Sequence, residues 1–272
     1  MNNKAMEIFS IKRFGLVMAR DLRENMRSLL IRYVGLLVAL CVISLLIGYN
    51  YNLGNWRMDG PDPKDRALMP ECGFFSFILF GLAMAYASNT MAMMSTKETR
   101  LSTLMLPASM LEKFVSAWII NVPVFVALYI GFAYFADFVR YVVFKFFVET
   151  QNAVSTFSFL AVNMPSDVIH AFFMLLIVGQ SLFVLGGTIW YKRAFLKMLI
   201  VLVAIGIVYN ILFWNGYTIG LGDTQLESFS RVYSEEEPSF ILKAWIMTIV
   251  FSLGIYVLSY FRFKGSEIIN RW

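Results

Sequence analysis

The sequence predicts an all-α membrane protein. Six transmembrane helices follow an amphipathic helix at the membrane surface, with a short helix in the loop between spans two and three. Three observations carry that expectation. Of the 272 residues, 59% are hydrophobic and only 15% charged, with a mean hydropathy of +0.67. Soluble domains carry about 25% charged residues, and no small globule hides so much apolar surface. Six segments reach the length of about 20 apolar residues that crosses roughly 30 Å of hydrocarbon. Runs such as Leu36–Gly48 show no alternation of apolar and polar residues, as the strands of a membrane β-barrel must.

The elements follow in chain order, and the whole chain, 1–272, reads as a single transmembrane domain. Over residues 8–28, Ile11, Phe14, Met18, Leu22, Met26 and Leu29 recur every three or four positions, the period of one helical face. Lys12, Arg13, Arg20, Arg23 and Arg27 occupy the rest. Basic amphipathic helices of this kind lie in the membrane surface and meet anionic lipid. The first span is expected at 33–51. It is longer than the core of a cleaved signal and lacks a small-residue cleavage site, so it is expected to remain as an anchor. A turn-rich connector centred on Asp-Gly-Pro-Asp-Pro leads to span two at 74–94. The loop 95–113 mixes charge with apolar residues, and Pro107 suits the first turn of a short helix. Span three is expected at 114–135. Residues 138–165 either prolong it or form an interfacial helix. Spans four, five and six are expected at 168–190, 198–217 and 240–261, with an acidic connector at 218–239.

Lys and Arg set the orientation. With both ends inside, 16 fall on the inner side and 7 on the outer, while acidic residues divide 6 to 12. The inner side therefore carries +10 and the outer −5, in agreement with the positive-inside rule. The net charge of +5 is a topology signal rather than a nucleic-acid signal.

Several chemistries are disfavoured. One His and two Cys are too few for a His/Cys metal site, a disulfide framework or a histidine triad. Gly220-Leu221-Gly222-Asp223 matches a GxGD protease motif, but such chemistry needs two carboxylates sharing a proton, and no span core holds a second Asp. No Walker A motif is present. Ionisable residues, the usual markers of ion pathways, are nearly absent from the expected spans. Polar residues that could line a path are Asn89, Thr90, Asn121, Gln180 and Asn210. Gly81/Ala85 and Ala83/Ala87 give the small-xxx-small spacing that lets helices approach closely.

The stretch Glu98–Lys113, ETRLSTLMLPASMLEK, together with the N-terminal FSIKRFGLVMARDLRENMRSLLIR, resembles permease subunits of type-two ATP-binding-cassette exporters, particularly those of Bacteroidetes-type bacteria. The matching features are Glu98, Thr103-Leu104, Leu106-Pro107-Ala108-Ser109, Glu112 and Lys113. Ser102 and Met110 depart from the common pattern. The resemblance implies that the inner loop carries a coupling helix docking on a separate ATPase. Leu106, Pro107, Met110, Leu111 and Phe114 would enter the ATPase groove, with Arg100, Glu112 and Lys113 at its rim. It further implies export through a dimer with itself or a paralogous permease, in the bacterial cytoplasmic membrane with both termini inside. No cofactor is expected on this chain, since ATP and Mg would sit on the partner, and this chain would not be an enzyme. The alternative is a non-transporting membrane scaffold or assembly factor that recruits a cytoplasmic partner. A tag at Ser234 is expected to be reached by glycosylation or impermeant thiol reagents from outside; a cytoplasmic readout would overturn the topology.

Overall fold

The computed structural model describes residues 9–52, 68–146, 165–218 and 238–269, and the elements between them are helical throughout. They are α1 (Ile11–Asn52), α2 (Leu68–Ser88), a 3-10 segment (Asn89–Met94), α3 (Lys97–Leu104), α4 (Met110–Asn121), α5 (Pro123–Lys145), α6 (Ser166–Ile189), α7 (Ala194–Thr218) and α8 (Pro238–Ile269). Six stretches are long and apolar enough to cross a membrane: Ile11–Asn50, Pro70–Met94, Met110–Lys145, Ser166–Ile189, Ala194–Ile211 and Ile241–Gly265. The chain is a multi-pass membrane protein. The acidic connector and the GxGD motif at 220–223 lie outside the described residues.

Three boundaries differ from the sequence expectation. The surface helix at 8–28 and the first span at 33–51 are one helix, α1, of 42 residues. At about 1.5 Å per residue it extends some 63 Å, about twice the hydrocarbon thickness. Ser28–Arg32, the joint between the two expected parts, contains neither Pro nor Gly, so nothing stops the helix. The third span is longer than expected and is built of two helices. Val122 breaks the register at φ −109° and ψ −78°, and Pro123 starts α5, where its missing N–H costs nothing. The segment after Asp137 continues α5 to Lys145, which favours prolongation over a separate helix. Lastly, span two ends in a tightened 3-10 segment with Met91 at φ −103° and ψ 19°. There the Ser88 and Thr90 hydroxyls donate to the carbonyls of Ala85 and Ala87, both at 2.7 Å, and such local bonds bend helices.

α6 is the central post, packed by α8, α2 and α7, while α1 lies along α5 and α4. The core between these groups is aromatic. Tyr86 stacks on Phe125 at 4.1 Å between centroids and on Tyr33 at 6.0 Å. The fully buried Tyr129 hydroxyl donates to the Phe75 carbonyl at 2.7 Å. Ala83 and Ala87 face inward at 0% exposure, whereas Gly81 looks into open space. Only half of the small-residue motif therefore serves packing inside the chain.

Gly187 sets the approach of α6 to α2: a Cβ there would stand 2.5 Å from the Ser88 carbonyl oxygen, a backbone atom that cannot swing aside. Gly206 has nothing within 4 Å of its own missing Cβ. Gly187→Ala is therefore expected to cost about 1–3 kcal/mol, read as a lower Tm in detergent, while Gly206→Ala leaves Tm unchanged or slightly raised. Equal effects from the two would refute the close α6–α2 contact.

Candidate functional site

The loop between α2 and α4 is a folded unit. Thr96 caps α3 by accepting from Thr99 N at 3.3 Å. Ser109 caps α4 in a reciprocal box: its hydroxyl accepts from Glu112 N at 3.2 Å, and Glu112 Oε2 accepts from Ser109 N at 2.9 Å. This Ser-x-x-Glu spacing satisfies two otherwise orphaned N–H groups. It also starts the helix at Met110, so Pro107 lies in the turn before α4 rather than in the first turn of a short helix. The short helix of the loop is α3, upstream.

Glu112 does more than cap. It is fully buried, and its other oxygen, Oε1, accepts from Ser10 N at 2.7 Å and faces Arg13 at 3.4 Å. One turn further on, the Ser116 hydroxyl donates to Asp21 Oδ2 at 2.9 Å. The beginning of α1 is thus tied twice to α4. Arg100 forms a third tie, donating to the Met94 carbonyl at 3.0 Å and lying 5.8 Å over the Tyr191 ring in the α6–α7 connector.

The residues expected at a docking groove and its rim lie in different surroundings. Glu112, Lys113 and Phe114 are buried at 0%, 4% and 6% exposure. Phe114 packs against Tyr260 and Phe263 of α8, at 5.9 and 6.1 Å. Its face of α4 packs on the protein's own last helix, and Arg100 is turned toward the Met94 carbonyl and the Tyr191 ring. Leu106 and Met110 are half-buried, and Pro107 and Leu111 are exposed. The structure adds Leu101 and Met105, 55% and 80% exposed. Their i, i+4 spacing on a charged segment was visible in the sequence as an apolar pair with no core to join.

Of the basic residues expected at the membrane surface, Lys12, Arg23 and Arg27 are exposed. Arg13 is drawn to Glu112, and Arg20 to Glu24 at 2.5 Å one turn away. Of the polar residues expected along a path, Asn89, Thr90 and Asn121 line one open cavity of about 590 Å³ bordered by α1, the end of α2, the 3-10 segment, α3 and α4. Gln180, buried within α6, and Asn210, exposed on α7, are not part of its lining.

The far end of the bundle holds a charged cluster that the sequence reading left among connectors. Glu71 at the start of α2 is fully buried, with Arg140 Nε 2.9 Å from its Oε2 and the Ser44 hydroxyl of α1 donating to its Oε1. Asp137, one turn before Arg140, lies 3.9 Å from the guanidinium. Three helices, α1, α2 and α5, meet on these groups. The signal available was the Asp137/Arg140 spacing in an otherwise apolar helix.

Among the described residues no group of three or more His, Cys, Asp or Glu is placed to hold a metal ion, and Cys41 and Cys72 are not disulfide-bonded. The fold defines a six-span membrane protein with a structured loop at one end and a buried ionic cluster at the other. No family model, curated protein or solved structure matches this chain.

Removing one partner of a buried ion pair strands the other. Arg140→Met is expected to destabilise by about 3–5 kcal/mol, and Arg140→Lys, which keeps the charge but loses the fork, by less. Thermal unfolding in detergent reads both; indifference to Arg140→Met would show that the cluster bears no load.

Proposed function

We propose that this chain is the membrane-spanning permease subunit of an ATP-driven exporter of the ATP-binding-cassette type. Two copies, or one with a paralogous chain, enclose the substrate path. A separate ATPase, carrying ATP and Mg, docks on the loop between α2 and α4, and this chain performs no hydrolysis itself. It resides in the bacterial cytoplasmic membrane with both termini inside and binds no nucleic acid.

The observation that carries this reading is the loop's construction. It presents Leu101, Met105, Pro107 and Leu111 to solvent, an apolar patch on an otherwise charged segment of the kind that marks a partner surface. Behind that patch the loop is tied to α1 through Glu112 and Ser116, and to the end of span two through Arg100. A partner pushing on the patch moves three spans together, because packed helices shift as bodies rather than flow. Alternating access then follows if ATP binding favours one arrangement of those spans over the other.

The test uses co-purification with a chain bearing a Walker A motif. Met105→Glu combined with Leu111→Glu, both on the exposed patch, is expected to release the ATPase while leaving Tm unchanged. Phe114→Glu is expected to lower Tm instead, because it places a charge in the core. Full retention of the ATPase by the double variant would sink the docking role. Retention without ATP-dependent substrate movement in proteoliposomes would leave the scaffold alternative.

A further inference from the structure

We propose that the cavity of about 590 Å³ between α1, the 3-10 segment, α3 and α4 binds the phosphate-bearing headgroup of a membrane lipid, with Arg32 as its anion-holding group. The proposal stands whatever the loop recruits.

Position comes first. Arg32 is the last charged residue of α1 before the uninterrupted apolar stretch that begins at Tyr33. Its guanidinium therefore lies where hydrocarbon gives way to headgroups, the depth of lipid phosphates, and basic pockets between helices at that depth are lipid sites. The volume falls within the roughly 300–1,000 Å³ of small-molecule sites.

The pairing of the individual cations points the same way, although the lining as a whole, with Arg20 and Arg32 against Asp21 and Glu24, carries no net charge. Arg13 and Arg20 each face a carboxylate, Glu112 and Glu24. Arg32 instead donates to a neutral group, the Ser28 hydroxyl, at 2.9 Å, and among the described residues no carboxylate pairs with it. Of the two acids that border the cavity, Glu24 is paired with Arg20, while Asp21 keeps its charge and is held toward α4 by the Ser116 hydroxyl. An exposed, forked cation is what binds phosphate oxygens most firmly.

The walls supply the rest of the recognition. Asn89 is exposed at the cavity and offers a neutral hydrogen-bonding group, and the exposed Ser102 of α3 borders the same lining. Tyr86, Met93 and Ile120 add apolar surface suited to the glycerol and first acyl carbons. A wholly soluble anion would use only the polar half of this lining, which is why a lipid is the better occupant.

Native mass spectrometry of the full chain in detergent tests the site, with phosphatidylglycerol, phosphate-free digalactosyldiacylglycerol and soluble glycerol 3-phosphate as probes. Phosphatidylglycerol is expected to be retained in preference to the glycolipid. Arg32→Gln is expected to weaken that retention about tenfold, the loss of one charged hydrogen-bonding group, and Arg32→Lys to weaken it less. Arg262→Gln removes the same charge from an exposed position on α8, off the cavity, and is expected to leave retention unchanged. If Arg32→Gln does not fold, Asn89→Ala is measured in its place and is expected to weaken retention. Equal retention of both lipids, or equal losses in Arg262→Gln and the cavity variant, would overturn the site. Displacement of the lipid by glycerol 3-phosphate would overturn the lipid assignment in favour of a soluble phosphate compound.

Discussion

The Glu112 carboxylate, fully buried, organises the loop end of this molecule. One of its oxygens closes the cap of α4 through Ser109 N, and the other takes Ser10 N and faces Arg13 at the beginning of α1. Charged hydrogen bonds of this kind are worth about 1.5–3 kcal/mol each, and a buried carboxylate is tolerated only when so satisfied. Its geometry fixes where α4 starts and which face α4 turns inward. That in turn sets the seat of Phe114 on α8 and leaves Leu111 facing out. The apolar patch and the polar cavity both depend on that register.

The opposite end of the bundle follows the same logic with different groups. Glu71 meets Arg140 and Ser44 where three helices converge. Between the two polar knots the interior is aromatic and small-residue packing, with Phe125 and Tyr129 at 0% exposure beside Ala83, Ala87, Ala133 and Ala136. In lipid, apolar side chains gain little by leaving the solvent, so close packing and polar contacts must hold helices together. Contacts at both ends and a tight middle hold these helices together, and the helical register is interrupted only locally, at Val122–Pro123 and in the 3-10 segment.

Much of the architecture was legible from composition and period alone. All six spanning helices were placed, because about 20 uncharged apolar residues in a row have few other stable outcomes. The capping box was equally available: Ser109 and Glu112 stand three apart before an apolar run, the signature of a helix start, yet Pro107 drew the helix start to itself. What was not legible was direction. Phe114 and Leu111 are both apolar residues near the start of one helix, and nothing in the order of residues says which of them α8 will cover. Glu71 and Arg140 are 69 positions apart, and each looked like an ordinary flanking charge until the helices brought them together.

By itself, then, the amino-acid order determined that this is a multi-pass helical membrane protein, since hydropathy and helix length act locally and need no neighbour. The tertiary structure alone decided that the basic helix and first span are one rod, that the loop is bound to α1, and that a charged cluster lies buried at the far end. Those outcomes depend on pairs of residues distant in sequence. The free energy of a buried charge is set by whichever partner the fold delivers to it.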